Sequence, residues 1–463
     1  MKAVEEQSQL NTLKIEISNL YFHYKDMFET IVALATPAAK SALAIIRMSG
    51  DDCFKVVSNV FSKDLTNGKE KGIHFGFIKD GEKKIDQVVL LAYVAPHSFT
   101  GENSIEIISH GSMLIVNQIV AVLLKNGARL ATNGEFSSRA FLNGKIDLVQ
   151  AEAINDMINA TTAEAKDLSM VSLTGETSKL FRPIKDSIGE LLSHIEVNID
   201  YPEYEDIEVA SKEEILEKCG EIHRKIENLI KDGEKNRIYQ EGVKIAIVGK
   251  PNVGKSSLLN ALIHEDKAIV TSIAGTTRDV VEGDFNLAGV PVHLYDTAGI
   301  RDSEDLIEQI GIDKAKKAVE NADLVLFVVD ESGIDNELYN LIKNQKHIIV
   351  TNKADIISER NKNEIYISAK NNDLSSLLNK IKEELNIGEV VIKPTFNNTR
   401  QLGILKQMDF YLNNAITDTN EDQPIDLISV SLMAAYNCAL DLLGENNKND
   451  LTDEIFSRFC VGK

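Results

Sequence analysis

The sequence predicts a multidomain α/β protein: an α+β N-terminal domain (27–144), a helical domain in two parts (145–241 and 389–463), and a doubly wound α/β domain (242–388) inserted between those parts. Three observations predict it. Strand-like and helix-like segments alternate through 242–388, which marks a parallel sheet covered on both faces. The flanks on either side carry apolar residues at helical spacing. At 463 residues the chain has room for about three domains, taking roughly 150 residues for each.

In the N-terminal domain, 31–35 and 42–48 read as strands and 51–61 as a helix. Residues 73–79 and 87–94 form a hairpin around Asp80-Gly81, and 104–109 is a further strand before a helix that ends near Leu124. In the next segment Leu180, Ile184, Ile188, Leu191 and Ile195 line one face of a helix. Tyr201-Pro202 breaks that helix, and a second amphipathic helix starts at Ser211. Long helices with one apolar face need partners, and none follows immediately. Strands are expected at 243–248, 293–295, 324–330, 347–351 and 364–368, and after Pro394 the chain is helical again. Two helical flanks that complete one another, with an α/β domain inserted, is the economical arrangement.

With 50 Lys+Arg against 71 Asp+Glu, the chain carries a formal charge of −21. That excludes coating nucleic acid by bulk charge, which needs clustered cations. The four cysteines, Cys53, Cys219, Cys438 and Cys460, form no C-x-x-C pair, which excludes a disulfide scaffold and a thiolate zinc site and suits a reducing cytoplasm. The longest strongly apolar run, Leu324–Val329, is far short of the ~20 residues that span a bilayer. Residues 1–26 hold three Lys, four acidic residues and no Arg, unlike a transit peptide. They read as a leader without an assigned role, ahead of a start at Met27.

GKPNVGKS at 249–256 fits G-x-x-x-x-G-K-[ST] between a predicted strand and a predicted helix. Backbone N–H groups of Asn252, Val253, Gly254, Lys255, Ser256 and Ser257 would wrap phosphate oxygens at a helix N-terminus. Lys255 would reach the β/γ-phosphates and the Ser256 hydroxyl would ligate Mg²⁺. Asn352, Lys353, Ala354 and Asp355 (NKAD) follow another strand, and the Asp355 carboxylate can accept two hydrogen bonds from guanine, a pair that adenine does not offer. Ser368, Ala369 and Lys370 could bring a backbone N–H to the guanine carbonyl. Asp296, Thr297, Ala298 and Gly299 (DTAG) would organise Mg²⁺ and sense the γ-phosphate, and Thr277 would offer Mg²⁺ a second hydroxyl. These motifs predict a GTP site. Ile300 stands where a Ras-like enzyme carries its water-orienting Gln, so another residue must orient the attacking water.

The stretches 136–153 (FSSRAFLNGKIDLVQAEA), 271–279 (TSIAGTTRD), 296–301 (DTAGIR) and 456–463 (FSRFCVGK) together resemble the MnmE (TrmE) family of bacterial tRNA-modification GTPases. The resemblance spans about 27–463; the leader has no counterpart, and 443–450 before the last helix is more polar than expected. It implies a folate-binding, dimerising N-terminal domain, a helical domain, and GTPase domains whose two copies meet during turnover. It implies a homodimer that acts with the flavoprotein MnmG in a heterotetramer on tRNA, adding an aminomethyl-type (carboxymethylaminomethyl) group to carbon 5 of the wobble uridine. The implied cofactors are GTP, Mg²⁺, K⁺ and 5-formyltetrahydrofolate. Residue by residue, folate falls on Arg47, Glu106, Lys145 and Lys463, the cations suiting its glutamate tail and the carboxylate its pterin donors. Potassium falls on Asn252, Thr271, Ile273 and Thr276 within a loop that also holds Ser272, Ala274, Gly275 and Thr277; magnesium falls on Ser256 and Thr277. The catalytic carboxylate falls on Glu308, acting with Lys255. Cys460, near the chain end, is either a nucleophile or a packing residue. A ribosome-assembly switch of the Era/Der type is the alternative, but no stretch is basic enough for its RNA-binding module. A membrane role lacks a basic amphipathic or lipidated segment, since Gly462 and Lys463 spoil a C-a-a-X ending.

Overall fold

The computed structural model describes residues 29–66, 71–200, 211–265, 283–296, 318–331, 333–357, 364–388, 390–446 and 454–462. The chain divides into two compact units, 1–155 with 443–463, and 156–442. Residues 145–155 and 443–463, grouped by their periodicity with the helical segments, therefore lie in the unit of the N-terminal domain.

The first unit is built on a six-stranded sheet. Its strands are β1 (Ile31–Leu34), β2 (Leu43–Ser49), β3 (Gly72–Asp80), β4 (Lys83–Tyr93), β5 (Ser104–His110) and β6 (Arg129–Leu130), in the order β3-β4-β5-β2-β1-β6. All neighbours are antiparallel except β1 and β6. Alternation buries Ile46 and Met48 of β2, Leu90 of β4, and Ile105 and Ile107 of β5. Helices α1 (Cys53–Ser58) and α2 (Met113–Lys125) add Phe54, Val57, Ile119 and Leu123 to the same core. Each such side chain stabilises the fold by roughly 1.5–3 kcal/mol on burial. Helix α3 (Glu135–Leu142) and the start of α4 (Leu148–Asn159) meet the chain end, where Ile455, Phe456 and Phe459 pack on Leu148 and Ala151. The terminus then bridges Asn133 to Val461 and brings Gly462, in the left-handed region at φ 92°, against the Leu34 carbonyl.

The second unit begins with α5 (Ala163–Leu173), α6 (Glu176–Asp200) and α7 (Lys212–Glu241). Ser211 caps α7 by accepting the Glu214 amide, as the predicted start requires. In α6 the buried stripe is Phe181, Ile184, Ile188, Leu191 and Ile195, and Leu180 is 45% exposed. The 4-residue step from Leu180 to Ile184 fits a helix, but the larger ring one position on fills the core, edge-on to Phe396 at 5.4 Å. The expected break at Tyr201-Pro202 lies outside the described residues.

A second sheet follows: β7 (Val243–Val248), β8 (Gly283–Leu287), β9 (Val290–Asp296), β10 (Leu324–Val329), β11 (His347–Thr351) and β12 (Ile365–Tyr366), in the order β12-β11-β10-β7-β9-β8. Every pairing is parallel except β8 with β9. Helices α8 (Lys255–Glu265), α9 (Asn336–Ile342) and α10 (Ser375–Glu384) connect or flank these strands, and β10 is buried along its whole length, as a strand covered on both faces must be. Strand β8 lies outside the strands expected from the sequence. It pairs through a two-residue turn, Ala288-Gly289, whose residues are both left-handed at φ 53° and 87°, with Asn286 accepting the Gly289 amide. Of the expected strand at 364–368, Ile365 and Tyr366 pair with β11, and Ser368 makes an isolated bridge to Asp373. Helices α11 (Thr399–Asn420) and α12 (Ile425–Leu443) complete the unit. Helix α7, whose buried apolar residues include Ile215, Ile222, Ile226 and Leu229, packs along α11, while its Tyr239 joins the core of the second sheet. The later segment thus supplies the partner that α7 lacked in sequence. By length and composition α12 could cross a membrane, but it carries Asp426 and Asp441 and buries Leu432, Ala435, Ala439 and Leu442 inside the protein.

Candidate functional site

In a parallel sheet, ligands gather beyond the carboxyl ends of the strands, where the strand order reverses. Here β7 lies between β10 and β9, and at that end of the sheet stand the P-loop after β7, Asp296 at the end of β9, NKAD after β11, and Ser368 after β12.

Within the P-loop, Lys255 is 7% exposed and donates to the Gly249 and Lys250 carbonyls at 2.9 and 2.8 Å. Its ammonium is therefore fixed across the mouth of the loop. Asn252 is left-handed at φ 63°, exposed, and precedes the buried Val253. Gly254 is also left-handed, and a Cβ there would strike the Asn352 side-chain amide, so this position requires glycine. Ser256 and Ser257 stand exposed in the first turn of α8.

Asn352 ties the nucleotide motifs together. It is 3% exposed, its Nδ2 donates to the Val253 carbonyl at 3.0 Å, and its Oδ1 accepts the Ala369 amide at 3.2 Å. Lys353 is left-handed and pairs with Asp330 at 2.7 Å. Ala354 donates its amide to the Ile367 carbonyl. Asp355 is exposed, and its Oδ1 accepts the Ser368 hydroxyl at 2.8 Å. That bond, with Asp355's own amide and nearby Lys370, holds the carboxyl below the usual carboxylate range. A carboxylate kept ionised and oriented is what acceptance of two N–H groups needs. The structure thus brings together Val253, Gly254, Lys255, Asn352, Lys353, Ala354, Asp355, Ser368 and Ala369. Asp296 ends β9. Thr271, Ser272, Ile273, Ala274, Gly275, Thr276, Thr277, Thr297, Ala298, Gly299 and Glu308 lie outside the described residues. Among the described residues no cluster of three His, Cys, Asp or Glu side chains could hold a metal. The hydroxyl of Ser256 instead suits a hard ion that arrives with phosphates and keeps much of its water.

A second constellation lies in the first unit. Arg47 and Glu106 are cross-strand partners on β2 and β5. Arg47 donates to Glu106 Oε1 from Nε at 2.9 Å and from Nη2 at 2.7 Å, and from Nη1 to the Gly462 carbonyl at 3.1 Å. The guanidinium lies 5.8 Å from the ring centres of both Phe99 and Phe136. Lys145 donates to the Pro96 carbonyl and its stem lies beside Gly101, so it borders the same 96–101 loop as Phe99. Lys463 lies outside the described residues. Cys460 is exposed, whereas Cys53, Cys219 and Cys438 are buried. Burial pushes the Cys53 thiol up and the Cys219 thiol up to about 12, leaving both inert as nucleophiles. Phe99 and Asp330 were not foreseen. The position of Asp330 at the carboxyl end of a fully apolar strand was the available signal for it; nothing local marks Phe99.

Family models match along most of the chain: the MnmE helical domain over residues 148–460 and the GTP-binding protein TrmE N-terminus over 30–145. The tRNA modification GTPase MnmE of Lactococcus lactis subsp. cremoris (strain MG1363) is 42% identical over 449 residues, covering 94% of this chain and 99% of the relative. That of Mesoplasma florum is 40% identical over 450 residues, with the same shares of each chain. Among solved structures, Era of Aquifex aeolicus with GDP and AlF4⁻ is 31% identical and covers 36% of this chain and 66% of its own, at a TM-score of 0.26 that carries no argument about the fold. The chain belongs to the MnmE (TrmE) family and is a GTPase, as its motifs had indicated.

Proposed function

We propose that this GTPase modifies tRNA: with a flavoprotein partner of the MnmG kind it adds an aminomethyl-type group to carbon 5 of the wobble uridine, drawing a one-carbon unit from a formyl-tetrahydrofolate. The observation that carries this reading is the convergence of Arg47, Glu106 and the Gly462 carbonyl, beside Lys145 and the Phe99 ring. A GTP-timed RNA switch has no use for such a site. A folate has an aromatic pterin, donors that suit a carboxylate, and an anionic tail that suits cations. The Arg47 and Glu106 side chains are 22% and 19% exposed, open enough for exchange and dry enough for their hydrogen bonds to count. Lys463, next to Gly462, and the homodimer of N-terminal domains belong to the same reading.

At the nucleotide site, Lys255 holds the β/γ-phosphates, the P-loop amides wrap them, and Asp355 reads guanine. Magnesium, when bound at Ser256 and Thr277, neutralises phosphate charge; K⁺, held by Asn252 with Thr271, Ile273 and Thr276, takes the place of an arginine finger. The outward-facing, left-handed Asn252 supports this, because its side chain is not used inside the loop. Glu308 orients the attacking water, since Ile300 cannot. The helical domain, in two parts around the inserted GTPase domain, links turnover to the cytoplasmic tRNA reaction. The exposed Cys460 is the thiol available as a nucleophile, and normal wobble modification in cells carrying Cys460→Ser would remove it from the reaction. Mass spectrometry of wobble uridines from cells lacking the protein tests the function itself. An unchanged modification profile would refute it.

A further inference from the structure

We propose that Asp330 is a positioning residue of the nucleotide site: it anchors Lys353 and so holds the turn on which Asp355 is presented to the base. This rests on the reading of Asp355 as the guanine acceptor.

The turn has an uneven construction. Asn352 is fixed by its amide to the Val329 carbonyl at 2.9 Å and by its side chain to Val253 and Ala369. Ala354 is fixed by its amide to Ile367 at 2.9 Å, and Asp355 by the Ser368 hydroxyl. Between these anchored residues stands Lys353 at φ 62°, a left-handed conformation that a long unbranched side chain rarely adopts. A left-handed residue persists where its surroundings over-determine it. Asp330, the residue after β10, supplies that restraint: its Oδ2 lies 2.7 Å from Lys353 Nζ, with its side chain 13% exposed. The Lys353 side chain is 38% exposed, and the charge-assisted bond it makes to the more enclosed carboxylate has a defined direction. It also ties the turn to the end of β10, the strand beside β7 whose carboxyl end opens into the P-loop.

Losing the pair lets the turn leave the binding-competent conformation. Apparent affinity then falls by the fraction of molecules that remain competent. GTP and GDP share the base and the P-loop contacts, so both weaken by the same factor. The γ-phosphate and the attacking water are untouched, so kcat at saturating GTP is unchanged.

The test is calorimetry of the full-length protein with GDP and with a non-hydrolysable GTP analogue, alongside steady-state GTP hydrolysis. Asp330→Ala is expected to weaken both nucleotides at least tenfold and equally, with kcat within twofold of the parent. Asp330→Asn, isosteric and able to accept a hydrogen bond, is expected to fall between the two. Combining Asp330→Ala with Lys353→Ala is expected to bind no more weakly than Lys353→Ala alone, because the partner is already gone. Binding within twofold of the parent for both Asp330 variants overturns the proposal. So does a loss confined to one nucleotide, or a fall in kcat with affinity intact, the pattern of a general structural defect. Asp355→Asn separates the two levels of the argument: exchange of an acceptor for a donor should move preference from GTP towards XTP. Failure of that shift removes the guanine reading. A shift with Asp330→Ala silent removes the positioning role alone.

Discussion

The nucleotide site and the Arg47 site are built in opposite ways. At the first, each contribution is a short contiguous motif at the end of a strand, and most of its contacts run through backbone: Lys255 to two loop carbonyls, Asn352 to the Val253 carbonyl and the Ala369 amide. At the second, Arg47 meets a carboxylate 59 residues away and a carbonyl 415 residues away, and the contacts run mainly through side chains. A backbone-built site prescribes glycines and spacings, so it leaves a signature in sequence. A side-chain site requires only that the fold deliver the right charges to one place. Beside it lies a further charge network that no motif announces: Arg139, 4% exposed, pairs with Glu102 and Glu135, and Glu135 also pairs with Arg129.

This contrast can be broken at four points. The largest effect is expected at Glu308, where Glu308→Ala should lower GTP turnover by a factor on the order of 10² to 10⁴ with GTP affinity nearly intact. Turnover within a few-fold of the parent would assign the water to another group. Next, GTPase activity should be much faster in K⁺ than in Na⁺. Asn252→Ala should erase that preference at a loss of roughly 10²-fold while still binding GTP. Equal rates in the two salts at matched ionic strength would refute the potassium role and make Arg278 and Arg301, the arginines beside the two switch motifs, the fingers to test.

The third effect is on stability. Burial raises the Glu135 carboxyl, but the Arg129 bond, the Thr132 amide and Arg139 outweigh it and leave it below its usual range. Glu135→Gln should therefore cost the first unit about 2 kcal/mol near neutrality, measured by denaturant unfolding. A carboxyl lowered in the fold stabilises above its unfolded value of 4.5 and loses that contribution as pH falls through the lower folded value. The gap between parent and variant should accordingly close in acid, and a gap that widens there would contradict the network. The smallest effect belongs to the Arg47 site: if it takes the proposed folate, Arg47→Ala should weaken 5-formyltetrahydrofolate at least tenfold by calorimetry, about 1.4 kcal/mol. Unchanged affinity would place that ligand elsewhere.

The helical regions show where reading a sequence stops. The period in α6 was plain, yet Phe181 and not Leu180 entered the core, because which neighbour fills the space depends on the facing Phe396. The hairpin of β8 and β9 is not marked in the sequence because its turn, Ala-Gly, lacks the Asn-Gly or Asp-Gly signal. The sequence by itself determined the alternating α/β order, the family, and the identities of the P-loop and NKAD residues. Each of these rests on local spacing and backbone conformation, which neighbouring residues prescribe. Only the tertiary structure decided that the last residues join the first unit, that Gly462 closes on Arg47, and that Asp330 meets Lys353. The physical reason is that a contact between distant residues is selected by the packing of the whole chain, and neither residue carries a trace of its partner.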